Sequence, residues 1–411
     1  MTTTNGPATG PLAGVKIIEL ASWMAAPCAG AILADMGADV IKIEAPGGDP
    51  MRGMTRPAKF EEDDERIDPD YGYQFDNRGK RSVCLAINTP EAQGVLRRLV
   101  AEADVFLTNL LPRRQSRYNV TFDDLRVVNP KIVYAALSGY GQQGPDAEKP
   151  GYDWTAFIGR GGLLGAMTPP EGEALLTPQA FGDHVTGLAA ALGVVAGLRQ
   201  AEMTGEGLVA DVSLYGTALW TLGSVFAPGL ADGRNVRVRT RHGELTPINN
   251  RFRCGDGRWI ILTMPGSRYW APFCEAIGKP EWIEAYPGGR ERYQAMDVIM
   301  PALDELFASR PLAEWGEILD EAGLIWGPGS LLEDIAADPQ AAAMGLLPEI
   351  DHPQAGAFRT IATPVHIEGV GPKGAAPEVG EHTESVLTEL GLSDAELEAL
   401  RAAGALGDGE K

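Results

Sequence analysis

Val15-Lys-Ile-Ile-Glu-Leu20 and Val40-Ile-Lys-Ile-Glu44, separated by Ala21-Ser-Trp-Met-Ala-Ala-Pro27 and an apolar stretch from Cys28 to Met36, decide the fold. Both runs are rich in β-branched residues, which suit a pleated, buried strand. The stretch between them reads as a helix closed by Gly37-Ala-Asp39. Two strands joined by a helical crossover form a βαβ unit, which implies a parallel sheet with a ligand site beyond the carboxyl ends of its strands. A dinucleotide site is the obvious rival, because Glu44 ends the second strand where a ribose-binding acid would stand. The first loop, however, carries Trp23 and Met24 and no G-x-G-x-x-G, so its backbone N–H groups have no means of closing on a pyrophosphate.

Working outward, the same alternation continues. Phe75-Asp-Asn-Arg-Gly-Lys-Arg-Ser-Val-Cys-Leu-Ala-Ile-Asn88 reads as a basic turn entering a strand, and a helix follows from about Pro90 to Ala101. Asp104-Val-Phe-Leu-Thr108 and Lys131-Ile-Val-Tyr-Ala-Ala-Leu137 are further strands, and Thr204-Gly-Glu-Gly-Leu-Val-Ala-Asp-Val-Ser-Leu214 is a turn leading into one more. Between them lie a polar loop from Met51 to Tyr71, the arginine-rich Asn109-Leu-Leu-Pro-Arg-Arg-Gln-Ser-Arg117, and the glycine-punctuated Ser138-Gly-Tyr-Gly-Gln-Gln-Gly-Pro145 and Gly159-Arg-Gly-Gly-Leu-Leu-Gly165. Glycine at such density marks backbone that approaches a ligand closely or moves. The two basic loops, in an acidic protein, point to a local polyanion pocket.

From about Pro228 the character changes. Gly233-Arg-Asn-Val-Arg-Val-Arg-Thr-Arg-His242 reads as a linker, and Phe252-Arg-Cys-Gly-Asp-Gly-Arg-Trp-Ile-Ile-Leu262 as a hairpin. Helices follow at Trp270–Ile277 and Leu312–Ala322. The expected organisation is a large Rossmann-like domain over residues 1–228, a linker and small α+β domain over 229–335, and a return segment over 336–411 that completes the large domain. That last segment carries two amphipathic helices hinged at Gly391, the second with a Ser393/Glu396 capping box.

A chain of 411 residues exceeds one ordinary core, and 44% apolar residues is ordinary for a globular protein. The formal charge of −21 argues against a nucleic-acid or anionic-membrane surface while allowing a local basic pocket. Cys28, Cys84, Cys254 and Cys274 are scattered without a CxxC pair, so they read as reduced thiols. The N-terminal segment has no signal-peptide pattern, and the longest apolar run, Leu188–Leu198, falls short of the ~20 residues that cross a bilayer. A cytoplasmic protein is expected.

Chemistry points to Gln179-Ala-Phe-Gly-Asp-His-Val-Thr-Gly187, which opens a long apolar helix. Asp183 stands near the positive helix end, a place that favours an ionised carboxylate. No histidine or cysteine spacing suggests a metal, and no G-x-S-x-G, P-loop or kinase motif occurs. One placed carboxylate, glycine loops and basic loops suit covalent catalysis on an activated, phosphate-bearing acyl substrate.

Pro11-Leu-Ala-Gly-Val-Lys-Ile-Ile-Glu-Leu20, Leu33-Ala-Asp-Met-Gly-Ala-Asp-Val-Ile-Lys-Ile-Glu-Ala-Pro-Gly-Gly-Asp-Pro-Met-Arg-Gly53, Asn77-Arg-Gly-Lys-Arg-Ser82, Ser138-Gly-Tyr-Gly-Gln-Gln-Gly-Pro145 and Gly182-Asp183 together resemble the class III coenzyme A transferase family, which also contains alpha-methylacyl-CoA racemase. The likeness continues through Thr204-Gly-Glu-Gly, Asp256-Gly-Arg-Trp, Thr363-Pro-Val and Gly380-Glu-His-Thr. The resemblance implies an intertwined homodimer with no tightly bound cofactor. Coenzyme A is the co-substrate, and the partners are an acyl-CoA and a carboxylic acid acceptor. It places the catalytic aspartate on Asp183, CoA contacts on Ser22, Trp23, Ala25, Leu85, Asn109 and Arg117, and acyl contacts on Met24, Tyr152, Asp153 and Trp154.

Two departures from the family pattern are visible. Asn109-Leu-Leu-Pro-Arg113 replaces an Asn-Phe-Arg-Pro-Gly, and Met24 replaces a glutamine of the formyl-CoA enzymes, which argues against oxalate-sized substrates. The racemases use a His-Asp pair where Tyr152-Asp153 stands here; tyrosine, with an ordinary pKa near 10, is a poor base at neutral pH, so transfer is favoured over alpha-proton exchange. A catalytically silent acyl-CoA binder would be expected to lack Asp183.

Overall fold

The computed structural model describes residues 9–54, 69–234, 238, 240–243 and 246–407. Most of the polar loop read from Met51 to Tyr71, and part of the basic run from Gly233 to His242, therefore lie outside the described residues. The chain opens with β1 (Lys16–Leu20), α1 (Ala25–Asp35) and β2 (Asp39–Glu44). The helix begins before Cys28 because Pro27 falls in its first turn, where a missing N–H leaves no intrahelical bond unmade. Next come α2 (Tyr71–Asn77), β3 (Arg81–Cys84), α3 (Pro90–Ala101), β4 (Val105–Thr108), α4 (Pro112–Tyr118), α5 (Phe122–Val128) and β5 (Val133–Ser138). A π-helical segment, Asp153–Arg160, and α6 (Leu163–Met167) lead to α7 (Phe181–Thr204), β6 (Val209–Ser213), α8 (Leu214–Thr221) and α9 (Gly223–Asp232).

The six strands form one wholly parallel sheet in the order β3-β2-β1-β4-β5-β6. Alternate residues serve opposite faces, as the period-2 geometry of a strand requires. Ile18, Ile41, Val83, Phe106 and Tyr134 pack with α3 and the C-terminal helices Thr383–Glu389 and Asp394–Ala402, while Ile17, Val40, Val105 and Val133 pack under α1 and α7. The strand order reverses between β1 and β4, so the loops leaving them diverge and open a crevice at the carboxyl edge.

The helix α7, at 24 residues, is long and apolar enough to cross a bilayer by length and composition. Its stripe Thr186, Gly187, Ala190, Ala191, Val194, Gly197 and Ala201 is nevertheless buried, as befits a core helix. Contact with α1 is close: a Cβ on Gly187 would stand 2.8 Å from the Ala25 carbonyl oxygen. Small residues on both helices thus bring the start of α7 beside the loop after β1.

Two compact units emerge, Met1–Leu164 with Leu176–Ala231 and Ala342–Lys411, and Gly165–Leu175 with Asp232–Ala341. The second holds an antiparallel sheet of β7 (Asn249–Arg253), β8 (Trp259–Thr263) and β9 (Trp326–Pro328). Its core is aromatic, with Phe252 stacked on Phe307 at 4.6 Å and Trp315 beside them.

Candidate active site

A cavity of about 440 Å³ occupies the crevice of the larger unit. Ser22, Trp23, Met24, Ala25, Leu85, Asn109, Tyr152 and Asp183 all line it, so the structure brings together most of the residues singled out from the sequence. The loops after β1 and β4 are tied reciprocally: the Ser22 N–H donates to Asn109 Oδ1 at 3.1 Å, and Asn109 Nδ2 donates to the Ser22 carbonyl at 2.6 Å. Trp23 has a left-handed backbone, φ +70°, a conformation that costs a non-glycine residue about 1–3 kcal/mol. It is held there by Asp49, whose Oδ1 accepts the Trp23 N–H at 3.1 Å, and by the edge of Tyr152 at 5.6 Å. Asp49 in turn pairs with Lys42 at 2.8 Å in a fully buried network with Glu19 and Lys80. Asp49 is marked in the sequence only by its place in the Pro-Gly-Gly-Asp-Pro turn just after β2, which carries no chemical motif of its own.

Asp183 sits in the first turn of α7, but its carboxylate receives no hydrogen bond among the described residues. The helix N-terminus is instead capped from outside. Asp153, at the start of the π-helical segment, accepts the Gly182 N–H on Oδ1 at 2.9 Å. Its Oδ2 is buried with no partner among the described residues. A Cβ on residue 182 would lie 2.5 Å from Asp153 Oδ1 and would overlap the Phe157 ring, so the Gly-Asp motif needs its glycine for this close approach. Burial, and then the Asp153 charge, push the Asp183 carboxyl up to about 7, while His184 pulls it down. The expected environment favouring an ionised aspartate is therefore corrected: the donors of the helix start serve Asp153, and desolvation governs Asp183. Burial raises Asp153 as well, with the Gly182 N–H opposing it.

Of the remaining predicted residues, Asp153 and Trp154 are not among the cavity-lining residues, the first buried and the second exposed, and Arg117 is exposed on α4 next to Tyr118. Arg114, one turn before Arg117, is the arginine at the cavity. Of the two basic loops, that of Asn77–Arg81 is consumed internally, correcting its reading as part of a polyanion pocket. Arg78 binds Asp35 at 2.8 Å, Lys80 binds Glu19 at 2.8 Å, and Arg81 binds Asp39 at 2.6 Å. Glu44 is likewise occupied, receiving Arg52 on both oxygens and the Ser82 hydroxyl at 2.6 Å, which leaves it no ribose-binding role.

One group of side chains escaped the sequence because its members come from three different helices. Cys28 on α1, Asp76 on α2 and His184 on α7 bring Sγ, a carboxylate oxygen and an imidazole nitrogen within 4.8 Å of one another, a set that could hold a metal ion. His184 Nε2 lies 3.1 Å from Asp76 Oδ1, and burial, then the Asp76 and Asp183 charges, hold the Cys28 thiol above its ordinary range.

A doubly wound parallel sheet with an aspartate-bearing crevice at its switch point is an α/β architecture whose ligand site lies beyond the carboxyl ends of the strands. The sequence profile of CoA-transferase family III matches residues 12–383, and the chain belongs to that family. It is 32% identical over 393 residues to the (R)-2-hydroxy-4-methylpentanoate CoA-transferase of Clostridioides difficile, covering 93% of this chain and 96% of that one. It is 30% identical over 413 residues to the cinnamoyl-CoA:phenyllactate CoA-transferase of Clostridium sporogenes, covering 95% and 96%. The crystal structure of a CaiB/BaiF family protein from Brucella suis superposes with a TM-score of 0.80 at 28% identity, over 93% of this chain and 99% of that one.

Proposed function

We propose that this protein moves coenzyme A from an acyl-CoA thioester to a free carboxylic acid, with Asp183 as the covalent nucleophile. The observation that carries this reading is a carboxylate at the cavity wall that is half-buried, free of hydrogen bonds among the described residues and raised to about 7. A desolvated, more basic carboxylate is a stronger nucleophile than one in water. Its anion attacks the thioester carbonyl and expels CoA thiolate, leaving an acyl-aspartyl anhydride. The thiolate then attacks the aspartyl carbonyl, releasing the first acid and leaving an aspartyl-CoA thioester. The incoming carboxylate attacks that thioester and frees the thiolate once more, which finally takes the new acyl group and restores Asp183.

Ser22, Trp23, Ala25, Leu85 and Asn109 lie along the cavity where the coenzyme would run, with Arg114 at the cavity for its phosphates and Arg117 exposed one turn further along α4. Met24, Tyr152 and Trp154 offer an apolar surface to the acyl group, which favours a monocarboxylic acid with an aliphatic or aromatic body over a small dicarboxylate. Four free, buried thiols suit a reducing cytoplasm.

Alpha-proton exchange is the second reading, favoured by the neighbouring Asp153 and Asp183, both raised by burial. The Gly182 N–H already occupies one Asp153 oxygen, and Asp153 stands outside the cavity lining, which supports transfer instead. Incubation with a panel of acyl-CoAs and free acids, read by mass spectrometry, should show acid-dependent CoA exchange. Hydroxylamine added during turnover should modify Asp183. Deuterium uptake at the alpha carbon without any exchange would replace the transferase by the racemase.

A further inference from the structure

We propose that Cys28, Asp76 and His184 form a binding site for a soft divalent cation of the Zn²⁺ class, and that its occupation inhibits CoA transfer. The donor set is chemically specific: thiolate and imidazole select zinc-like ions over magnesium or calcium, and a carboxylate completes a common three-ligand site. Its members stand on three separate helices, with their donor atoms within 4.8 Å of one another. Around a tetrahedral zinc, bonds of about 2.0–2.3 Å place neighbouring ligand atoms roughly 3.3–3.6 Å apart. The Asp76–His184 edge, at 3.1 Å, is already near that length, with a hydrogen bond standing where the ion would bridge.

The charge around these groups is unbalanced in the same sense. Asp76, Asp153 and Asp183 converge on His184, the one imidazole that faces all three. The nearest other cations are committed: Arg78 to Asp35, and Lys80 to Glu19, Asn77 and the Pro27 carbonyl. Cys28 and Asp76 are 5% and 2% exposed, so an ionised pair there is costly unless a cation neutralises it. A dication with one thiolate and one carboxylate is neutral overall. Binding releases the Cys28 thiol proton and the proton held between Asp76 and His184. The His184 side chain is 37% exposed and gives the ion its entry. With three protein ligands one coordination position stays open, and Asp183, which lies outside the group but whose charge acts on both Cys28 and His184, fills it by turning towards the ion. An aspartate drawn to a dication is a poorer nucleophile, which makes the bound ion an inhibitor.

Inhibition rests on the transferase reading; binding does not. The test uses metal-free full-length protein titrated with Co²⁺, followed by Zn²⁺ competition against a chromophoric chelator. One Co²⁺ per chain should bind and give a thiolate-to-cobalt charge-transfer band in the near ultraviolet. Cys28→Ser should abolish the band, and both it and His184→Gln should weaken binding by about tenfold or more. Circular dichroism and melting confirm that the near-isosteric serine variant is folded. Zn²⁺ should inhibit exchange by the wild type, and Cys28→Ser should remain active and insensitive. No stoichiometric binding, or binding unchanged in both variants, overturns the site. Binding without inhibition overturns only the inhibitory role, and absence of CoA exchange under every condition sinks the transferase reading while the metal result stands.

Discussion

At the level of single residues, Asp153 takes the Gly182 N–H at the start of α7, and the neighbouring Asp183 is left as the proposed nucleophile. The Gly-Asp pair at a helix start was legible as chemistry, but the pairing of the helix N–H groups with a carboxylate 29 positions away was not, because no local pattern encodes it. Asp183→Asn should abolish CoA exchange, since an amide cannot form the anhydride. It should also leave the melting temperature unchanged or raised, because it removes a half-buried charge without a hydrogen-bonded partner among the described residues. A strong loss of stability would mean that Asp183 is structural. Asp153→Ala should behave oppositely, costing about 1–2 kcal/mol of stability as the first turn of α7 loses its cap. Exchange by that variant should fall without vanishing, as a displaced nucleophile predicts; full activity with an unchanged melting curve would remove Asp153 from the positioning of Asp183.

Among the elements, strands and their crossovers were the legible part. β1, β2, β4, β5 and β6 are short apolar, β-branched runs bounded by turn residues, and the C-terminal capping box at Ser393 and Glu396 forms as its spacing requires. The π-helical segment was missed, since a single π turn has no periodic signature and Gly159, Gly161 and Gly162 argued for a loop. It matters, because it seats Asp153 and Phe157 against Gly182. Gly182→Ala should force that contact apart at a cost of about 1–3 kcal/mol and lower kcat for exchange well below wild type, measured beside its melting curve. An unaffected rate would show that the close approach is dispensable.

The turn after β2 depends on charge in a way that pH can test. Burial favours the neutral forms of Glu44 and Asp49, but Arg52, Lys42 and their hydrogen bonds outweigh it and hold both below the ordinary carboxylate range. Acids depressed in this way stabilise the fold fully above the unfolded-state pKa, about 4, and cease to do so as pH falls through the lower folded values. Melting of the larger unit should therefore drop steeply below about pH 4. In Glu44→Gln that dependence should flatten; an equally steep curve would place the acid sensitivity elsewhere.

For the whole molecule, the apolar surface left open on the larger unit is the feature that a single chain does not explain. Leu188, Leu192 and Val195 form a stripe along α7, with Leu192 70% exposed, and Trp220 and Leu230 on α8 and α9 are each 86% exposed. Large exposed apolar surface of this kind suits an interface, and we propose that its occupant is a second copy of this chain, threaded through the first as the resemblance to the class III transferases implies. Two threaded rings differ physically from two docked surfaces: separating them requires a ring to open, so dissociation is governed by unfolding and not by dilution. Light scattering should report a dimer down to the lowest measurable concentration. Two differently tagged preparations, mixed below the melting temperature, should form no mixed dimers over days, and should form them after unfolding and refolding together. Leu192→Asp, which places a charge in the exposed stripe that the proposed dimer covers, should reduce the yield of folded protein instead of releasing a stable monomer. Rapid exchange of tagged subunits, or a well-folded monomer from that variant, would replace the threaded dimer by an ordinary docked one.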